Sequence, residues 1–75
     1  MFEQICDILR NYVEEPEGGL KPETTFIEDL AMSSLDVMTM VGDLEDTFDV
    51  EIENADLRSI FNIQDLVNYL QSKTA

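Results

Sequence analysis

The sequence contains no histidine and a single cysteine, Cys6. Without histidine the chain lacks the commonest general base and metal ligand, which excludes serine–histidine and cysteine–histidine catalysis. A lone cysteine cannot form an intrachain disulfide, so the chain needs no oxidising compartment. Because Cys6 falls on an apolar stripe at helical spacing, we interpret it as a small buried hydrophobic residue without chemistry.

Positive charge is also scarce. Four Lys and Arg against seventeen Asp and Glu give a formal net charge of −13 at pH 7. Such a charge repels phosphate backbones and anionic lipid, which makes nucleic acid and membrane surfaces poor candidates as partners, and we expect no nucleic acid. The apolar fraction of 44% is nevertheless that of a folded domain rather than of a disordered acidic tail. We therefore expect partners that carry basic patches.

Long apolar runs are absent as well. No stretch approaches the roughly 18 apolar residues of a membrane-spanning helix, so we expect no membrane insertion. The start of the sequence, Met1–Gln4, lacks the positive charge and apolar stretch of a signal peptide, which predicts a cytoplasmic location. The 75 residues leave room for one small core. We expect a single domain over residues 1–75 and a monomer.

Apolar spacing predicts a first helix that begins at Phe2 and ends before Pro16 and the Gly18–Gly19 pair. Its stripe comprises Phe2, Ile5, Cys6, Leu9, Tyr12 and Val13. Residues 15–33 then show no sustained period. A connection this long inside a small domain needs apolar anchors, and Phe26 and Leu30 are the candidates.

The segment from Ser34 to Phe48 has the clearest helical pattern. At about 100° per residue, its apolar side chains fall on one side and its acidic ones on the other. The apolar side comprises Val37, Met40, Val41, Leu44 and Phe48, and the outer side Asp36, Thr39, Asp43 and Asp46. An extended connector at residues 49–53, a short helix at 56–61 and a last helix from Ile63 to about Ser72, capped by Asn62, follow. The predicted fold is all-α: a four-helix bundle with three longer helices, one short helix and a long first loop.

Carboxylates are so numerous that pairs at catalytic spacing are unavoidable and carry little meaning. An EF-hand calcium loop counted from Asp43 fails because its sixth position, which must be glycine, is Phe48. We therefore predict no catalytic residue and no metal site, and a protein that is not an enzyme.

Two adjacent serines stand where the long central helix begins. Ser33 fits the N-cap position, where its hydroxyl accepts a hydrogen bond from the backbone N–H near Asp36. Ser34 would then lie in the first turn with its hydroxyl facing outward. A phosphate ester on Ser34 would meet free backbone N–H groups and the positive end of the helix dipole. These surroundings suit a phosphodiester.

An apolar residue follows this pair on the outer face. On the helical wheel Leu35 lies between Gly42 and Asp46, away from the core stripe. Core packing does not require an apolar side chain there. We predict that Leu35 is a docking point, contacted by a basic partner together with Asp36, Glu45 and Asp46.

These residues carry a family resemblance. The stretch FIEDLAMSSLD at residues 26–36 and the stretch LEDTFDVEI at residues 44–52 resemble the acyl carrier protein family, and the likeness extends over nearly the whole chain. In that family an Asp-Ser-Leu motif opens the second helix, and its serine bears a 4′-phosphopantetheine arm that holds acyl groups as thioesters. Ser34 is the matching serine.

The resemblance implies partners and a pocket. The partners are a phosphopantetheinyl transferase and acyl-transferring and chain-elongating enzymes with basic docking patches, and Thr39 lies on the helix that they recognise. The acyl chain is sheltered between the second and third helices in the family. The pocket candidates are Val41, Leu44, Ile52, Leu57 and Ile60, which ordinary core packing would also explain.

Three positions depart from the family pattern. Ser33 replaces an aspartate, Ala31 a glycine and Thr39 a glutamate. The sequence thus resembles a carrier for fatty-acid, polyketide or related lipid biosynthesis, and a dedicated pathway is plausible. Two alternatives stay open: a carrier of aminoacyl or peptidyl groups, and an acidic helical interaction module without a cofactor. The latter alone leaves Ser34 unmodified.

Overall fold

The computed structural model describes residues 1–74 and contains four helices in this part of the chain. Helix α1 spans Phe2–Leu9, α2 Ser34–Phe48, α3 Asn54–Leu57 and α4 Ile63–Thr74. The predicted all-α architecture, with three longer helices, one short helix and a long first loop, is confirmed. Within residues 1–74 no helix is long and apolar enough to cross a bilayer.

The predicted bounds of α2 are confirmed, and so is the start of α4 at Ile63, although α4 continues to Thr74 rather than ending at about Ser72. The first helix and the short helix differ more from the prediction. The first helix ends at Leu9, whereas the predicted helix continued through Val13 and ended before Pro16. After Leu9 the backbone forms a tighter turn: the N–H of Tyr12 donates to the carbonyl of Leu9, three residues earlier, at 2.9 Å. The short helix begins two residues earlier than predicted and ends at Leu57, so that Ile60 lies in the turn that follows it.

A single apolar core lies between the helices. Helix α1 packs against both α2 and α4. The buried core residues are Ile5, Cys6, Leu9, Phe26, Leu30, Met32, Met40, Val41, Leu44, Ile52, Ile63, Leu66, Val67 and Leu70. The buried position predicted for Cys6 is confirmed, and this burial raises the pKa of its thiol.

The long first loop lies flat against the bundle. Both predicted anchors, Phe26 and Leu30, are buried. The backbone N–H of Phe26 donates to the carbonyl of Phe61 at 3.1 Å, and the N–H of Ile63 donates to the carbonyl of Thr24 at the same distance. These bonds join the loop to the start of α4. They place residues 24–26 beside α3 and the first turns of α2.

Candidate functional site

The first turn of α2 is closed by a reciprocal pair of hydrogen bonds. The Ser33 hydroxyl accepts from the backbone N–H of Asp36 at 3.2 Å, and the Asp36 carboxylate accepts from the backbone N–H of Ser33 at 3.2 Å. This capping box confirms Ser33 as the N-cap residue. Asp36 also complements the positive end of the helix dipole. The Ser33 hydroxyl is therefore engaged in starting the helix.

Ser34 has different surroundings. It is the first residue of α2 and is exposed. Among residues 1–74, its hydroxyl makes no hydrogen bond, in contrast to that of Ser33. The first N–H groups of a helix have no partner inside the helix, so they favour an anionic oxygen at this point. The Ser34 hydroxyl is thus accessible and lies where a phosphoryl group is electrostatically favoured.

The loop enters this turn through a strained residue. Ala31 has a φ of +54°, in the left-handed region that glycine adopts most easily. It lies two residues before Ser33, where the chain changes direction from the loop into α2. The family's usual glycine at this position fits that backbone geometry.

An apolar groove opens beside Ser34. It has a volume of about 600 Å³ and lies between the first turns of α2, residues 25–28 of the loop and the segment 57–61. Its lining residues are Thr25, Phe26, Ile27, Glu28, Ser34, Val37, Met38, Leu57, Arg58, Ile60 and Phe61. Three large apolar side chains of this lining are more than half exposed: Ile27 at 58%, Met38 at 55% and Phe61 at 66%. We call this feature the groove.

The pocket candidates from the sequence separate into two groups. Leu57 and Ile60 line the groove. Val41, Leu44 and Ile52 are buried in the core and are not part of the groove lining. The pocket role stays a prediction for all five residues. Of these, the structure places Leu57 and Ile60 in the same groove lining as Ser34.

Sequence reasoning missed several groove residues. Ile27 belongs to no helix, and Phe61 lies outside the helices although the predicted short helix ended at this residue. Neither residue has a place in an amphipathic stripe, so helical periodicity assigns them no function. Met38 lies on α2 outside its apolar stripe. The sequence could have identified them in one way: each is a large apolar residue that the predicted core did not require.

The predicted docking residues lie on the outer face of α2, apart from one. Leu35 is 74% exposed, and Asp36, Thr39 and Asp46 are exposed beside it. Glu45 is half-buried, and its carboxylate accepts the backbone N–H of Ile52 at 2.9 Å. The Glu45 side chain therefore holds the connector that follows α2, whereas the other four side chains are exposed and accessible to a partner.

Comparison with known proteins gives a consistent result. A family model described as a phosphopantetheine attachment site matches residues 3–70. The chain is similar to an acyl carrier protein of Syntrophus aciditrophicus, with 42% identity over 92% of this chain and 86% of that protein. It is also similar to one of Campylobacter concisus, with 37% identity over 95% and 92% of the two chains. A third, from Clostridium acetobutylicum, is 31% identical over 99% and 96%.

Proposed function

The chain belongs to the acyl carrier proteins that have a phosphopantetheine attachment site, and we propose that Ser34 is the residue that bears the arm. Membership of the family implies a covalently attached 4′-phosphopantetheine group. The residues present fit such a group, because Ser34 offers an exposed hydroxyl at a helix N-terminus and at the edge of the groove.

The contrast between the two serines carries this assignment. The Ser33 hydroxyl accepts the N–H of Asp36, and modifying it would open the capping box. The Ser34 hydroxyl has no such task and faces solvent. A transferase can therefore modify Ser34 without unwinding the first turn of α2.

We infer that the protein carries acyl groups and is not itself an enzyme. When attached, the arm supplies a thiol that holds the acyl group as a thioester. The chain supplies position and shelter: α2 fixes the attachment point, and the groove offers apolar surface within the same site. The cytoplasmic location and the monomeric state stay predictions from the sequence.

We also propose that the groove receives the first part of the acyl chain. Its lining is mostly apolar, and Leu57 and Ile60 face Met38 and Val37 of α2 across it. Transfer of an alkyl chain from water into the groove is favourable by about 0.8 kcal/mol for each buried CH₂ group. A charged aminoacyl group would lose its hydration against the same lining. The groove thus favours acyl over aminoacyl cargo, in fatty-acid, polyketide or related lipid biosynthesis.

We further propose that the transferase and the acyl-processing enzymes dock on the outer face of α2. Leu35 offers an apolar anchor, and Asp36 and Asp46 offer carboxylates to a basic patch. Opposite charges at a wet rim mainly accelerate encounter, while a desolvated apolar anchor mainly slows dissociation.

A matched pair of serine variants tests the attachment site. Ser34→Ala should abolish labelling by a phosphopantetheinyl transferase with a fluorescent coenzyme A analogue, because the acceptor oxygen is gone. Ser33→Ala should still be labelled. Intact mass spectrometry of the same samples counts the attached groups. Labelling of Ser34→Ala, or an unlabelled wild type, would refute the assignment, and the latter would favour the cofactor-free module.

A second pair tests the docking face. Asp46→Lys should lower the association rate with the transferase and flatten its salt dependence, whereas Leu35→Ala should chiefly raise the dissociation rate. Glu3→Lys, an exposed charge reversal on α1, is the matched control. Asp36 is unsuitable because it belongs to the capping box. Equal effects of Asp46→Lys and Glu3→Lys would show that only net charge matters.

A further inference from the structure

Helix α3 forms one wall of the groove, and Leu57 is its residue that packs against the core. Within the described part of the chain, none of its four residues, Asn54–Leu57, is fully buried. Leu57 is half-buried, and with the following Arg58 and Ile60 it lines the groove. A single helical turn is not stable by itself in water. Contacts with other elements must therefore fix the position of this wall.

A side-chain hydrogen bond joins the body of α3 to α4. The hydroxyl of Tyr69 on α4 donates to the carboxylate of Asp56 on α3, with 2.6 Å between the two oxygens. The Tyr69 ring is half-buried, and the Lys73 ammonium lies 5.5 Å from its centroid. Burial and the bond to Asp56 raise the pKa of the Tyr69 hydroxyl. The donor is therefore protonated at neutral pH, and the Lys73 ammonium lies over its ring.

Two other contacts hold the ends of the same segment. At the amino-terminal end, the backbone N–H of Ile52 donates to the Glu45 carboxylate at 2.9 Å. At the other end, the backbone N–H of Phe61 donates to the Asp65 carboxylate at 3.0 Å. Both bonds lie outside α3. The Ser59 hydroxyl also donates to the Asp56 carbonyl at 2.9 Å, but this bond stays within the same segment. Within residues 1–74, the Tyr69–Asp56 bond is thus the side-chain hydrogen bond that joins α3 to another helix.

We propose that Tyr69 is a positioning residue that sets the width of the groove by holding α3 against α4 through Asp56. The inference rests on the proposed function of the groove as the acyl site. Tyr69 does not line the groove and acts through the position of Leu57 and Ile60. Loss of its hydroxyl lets the wall move outward, which favours longer acyl chains over shorter ones.

The chain contains a matched control. Tyr12 also donates its hydroxyl to a carboxylate, that of Asp43 on α2. Neither Tyr12 nor Asp43 lines the groove. Tyr12→Phe and Tyr69→Phe therefore remove the same chemical group from two tyrosine–carboxylate bonds, of which the second joins α3 to α4.

The first measurement uses the unmodified chain. Backbone amide exchange, followed by NMR, should accelerate about tenfold for residues 54–60 in Tyr69→Phe, the change expected for loss of one hydrogen bond to a charged group. Exchange at these residues should stay at the wild-type rate in Tyr12→Phe. Wild-type exchange in Tyr69→Phe, or equal acceleration in both variants, would overturn the proposal while leaving the proposed function intact.

The second measurement reads the groove. Hydrolysis rates of butyryl and octanoyl thioesters on the arm give a ratio of protection for a short and a long chain. Tyr69→Phe and Asp56→Ala should each shift this ratio toward protection of the octanoyl chain. The double variant should shift the ratio no further than either single variant, because both remove the same bond. Asp56→Asn, which keeps a hydrogen-bond acceptor, should have the wild-type ratio. An unchanged ratio in Tyr69→Phe would overturn the proposal. Wild-type thioesters that hydrolyse as fast as free pantetheine thioesters would instead refute the acyl role of the groove itself.

Discussion

The two sides of α2 differ in what covers their apolar residues. On the packed side, defined by the contacts of α1 with α2 and α4, the side chains of Ile5, Leu9 and Leu44 are wholly removed from solvent. On the groove side, where α3 and residues 25–28 face the first turns of α2, Met38 and Phe61 stay more than half exposed. Both sides are apolar, but only the packed side has a complementary surface opposite it.

This difference separates stability from function. Burial on the packed side supplies most of the apolar driving force for folding. The groove side keeps apolar area exposed next to Ser34, although covering it would stabilise so small a domain. Contiguous apolar surface on a monomeric protein marks a binding site more often than a packing defect. The packed side therefore stabilises the fold, and the groove is where we propose that the acyl group binds.

The largest expected effect comes from truncating one apolar residue on each side. Leu44→Ala removes a fully buried side chain and should lower the free energy of unfolding by about 2–5 kcal/mol. Met38→Ala, on the same helix but 55% exposed, should change it by less than about 0.5 kcal/mol. Urea denaturation followed by circular dichroism measures both. Equal losses would mean that the groove side is core in solution.

A smaller effect is expected at the start of α2. Ser33→Ala removes the capping acceptor of the Asp36 N–H and should cost about 1 kcal/mol. Ser34→Ala removes a hydroxyl without a recorded partner in residues 1–74 and should leave stability almost unchanged. The same denaturation experiment compares them. A greater loss for Ser34→Ala would assign Ser34 a structural task that the capping box does not include.

The smallest effect concerns the two tyrosines. The pKa of Tyr12 is raised first by its bond to Asp43, and that of Tyr69 first by burial. Because the pKa of each hydroxyl is higher in the folded state, its hydrogen bond contributes fully to stability when the pH is below the ordinary pKa of 10.0. This contribution is lost as the pH rises through the pKa of the folded state. Tyrosinate absorbance in alkaline titrations separates the two causes.

The carboxylate variants give opposite expectations for the two titrations. Asp43→Ala should return the Tyr12 pKa most of the way to its ordinary value. Asp56→Ala should leave the Tyr69 pKa raised, because the burial of the ring persists in part. If both hydroxyls returned to the ordinary pKa, the burial of the Tyr69 ring would be weaker than the structure indicates.

Sequence periodicity predicted the packed side well. The bounds of α2, the burial of Cys6 and the anchors Phe26 and Leu30 all follow from apolar residues that must be covered. The N-caps Ser33 and Asn62 were also predictable, because a short polar side chain before an apolar stripe has few other uses. Local rules were sufficient for α2 and for the start of α4, whereas they placed the end of α1 too late.

The groove side could not be predicted in the same way. Its wall depends on Tyr69 reaching Asp56, thirteen residues away, and on backbone bonds between the loop and the start of α4. Neither contact leaves a periodic signal. The short helix was therefore placed two residues late, and Ile27 and Phe61 received no role. Such non-local contacts set which exposed apolar residues meet.

The most direct test of the account is an NMR comparison of the protein with a bare arm and with an octanoyl arm on Ser34. We expect the changes in backbone amide shifts to concentrate at groove residues, with Met38, Leu57 and Phe61 the largest, and to be near zero at Leu9 on the packed side. Changes confined to the residues next to Ser34, as for a chain that stays in solvent, would contradict the account. So would changes centred on α1.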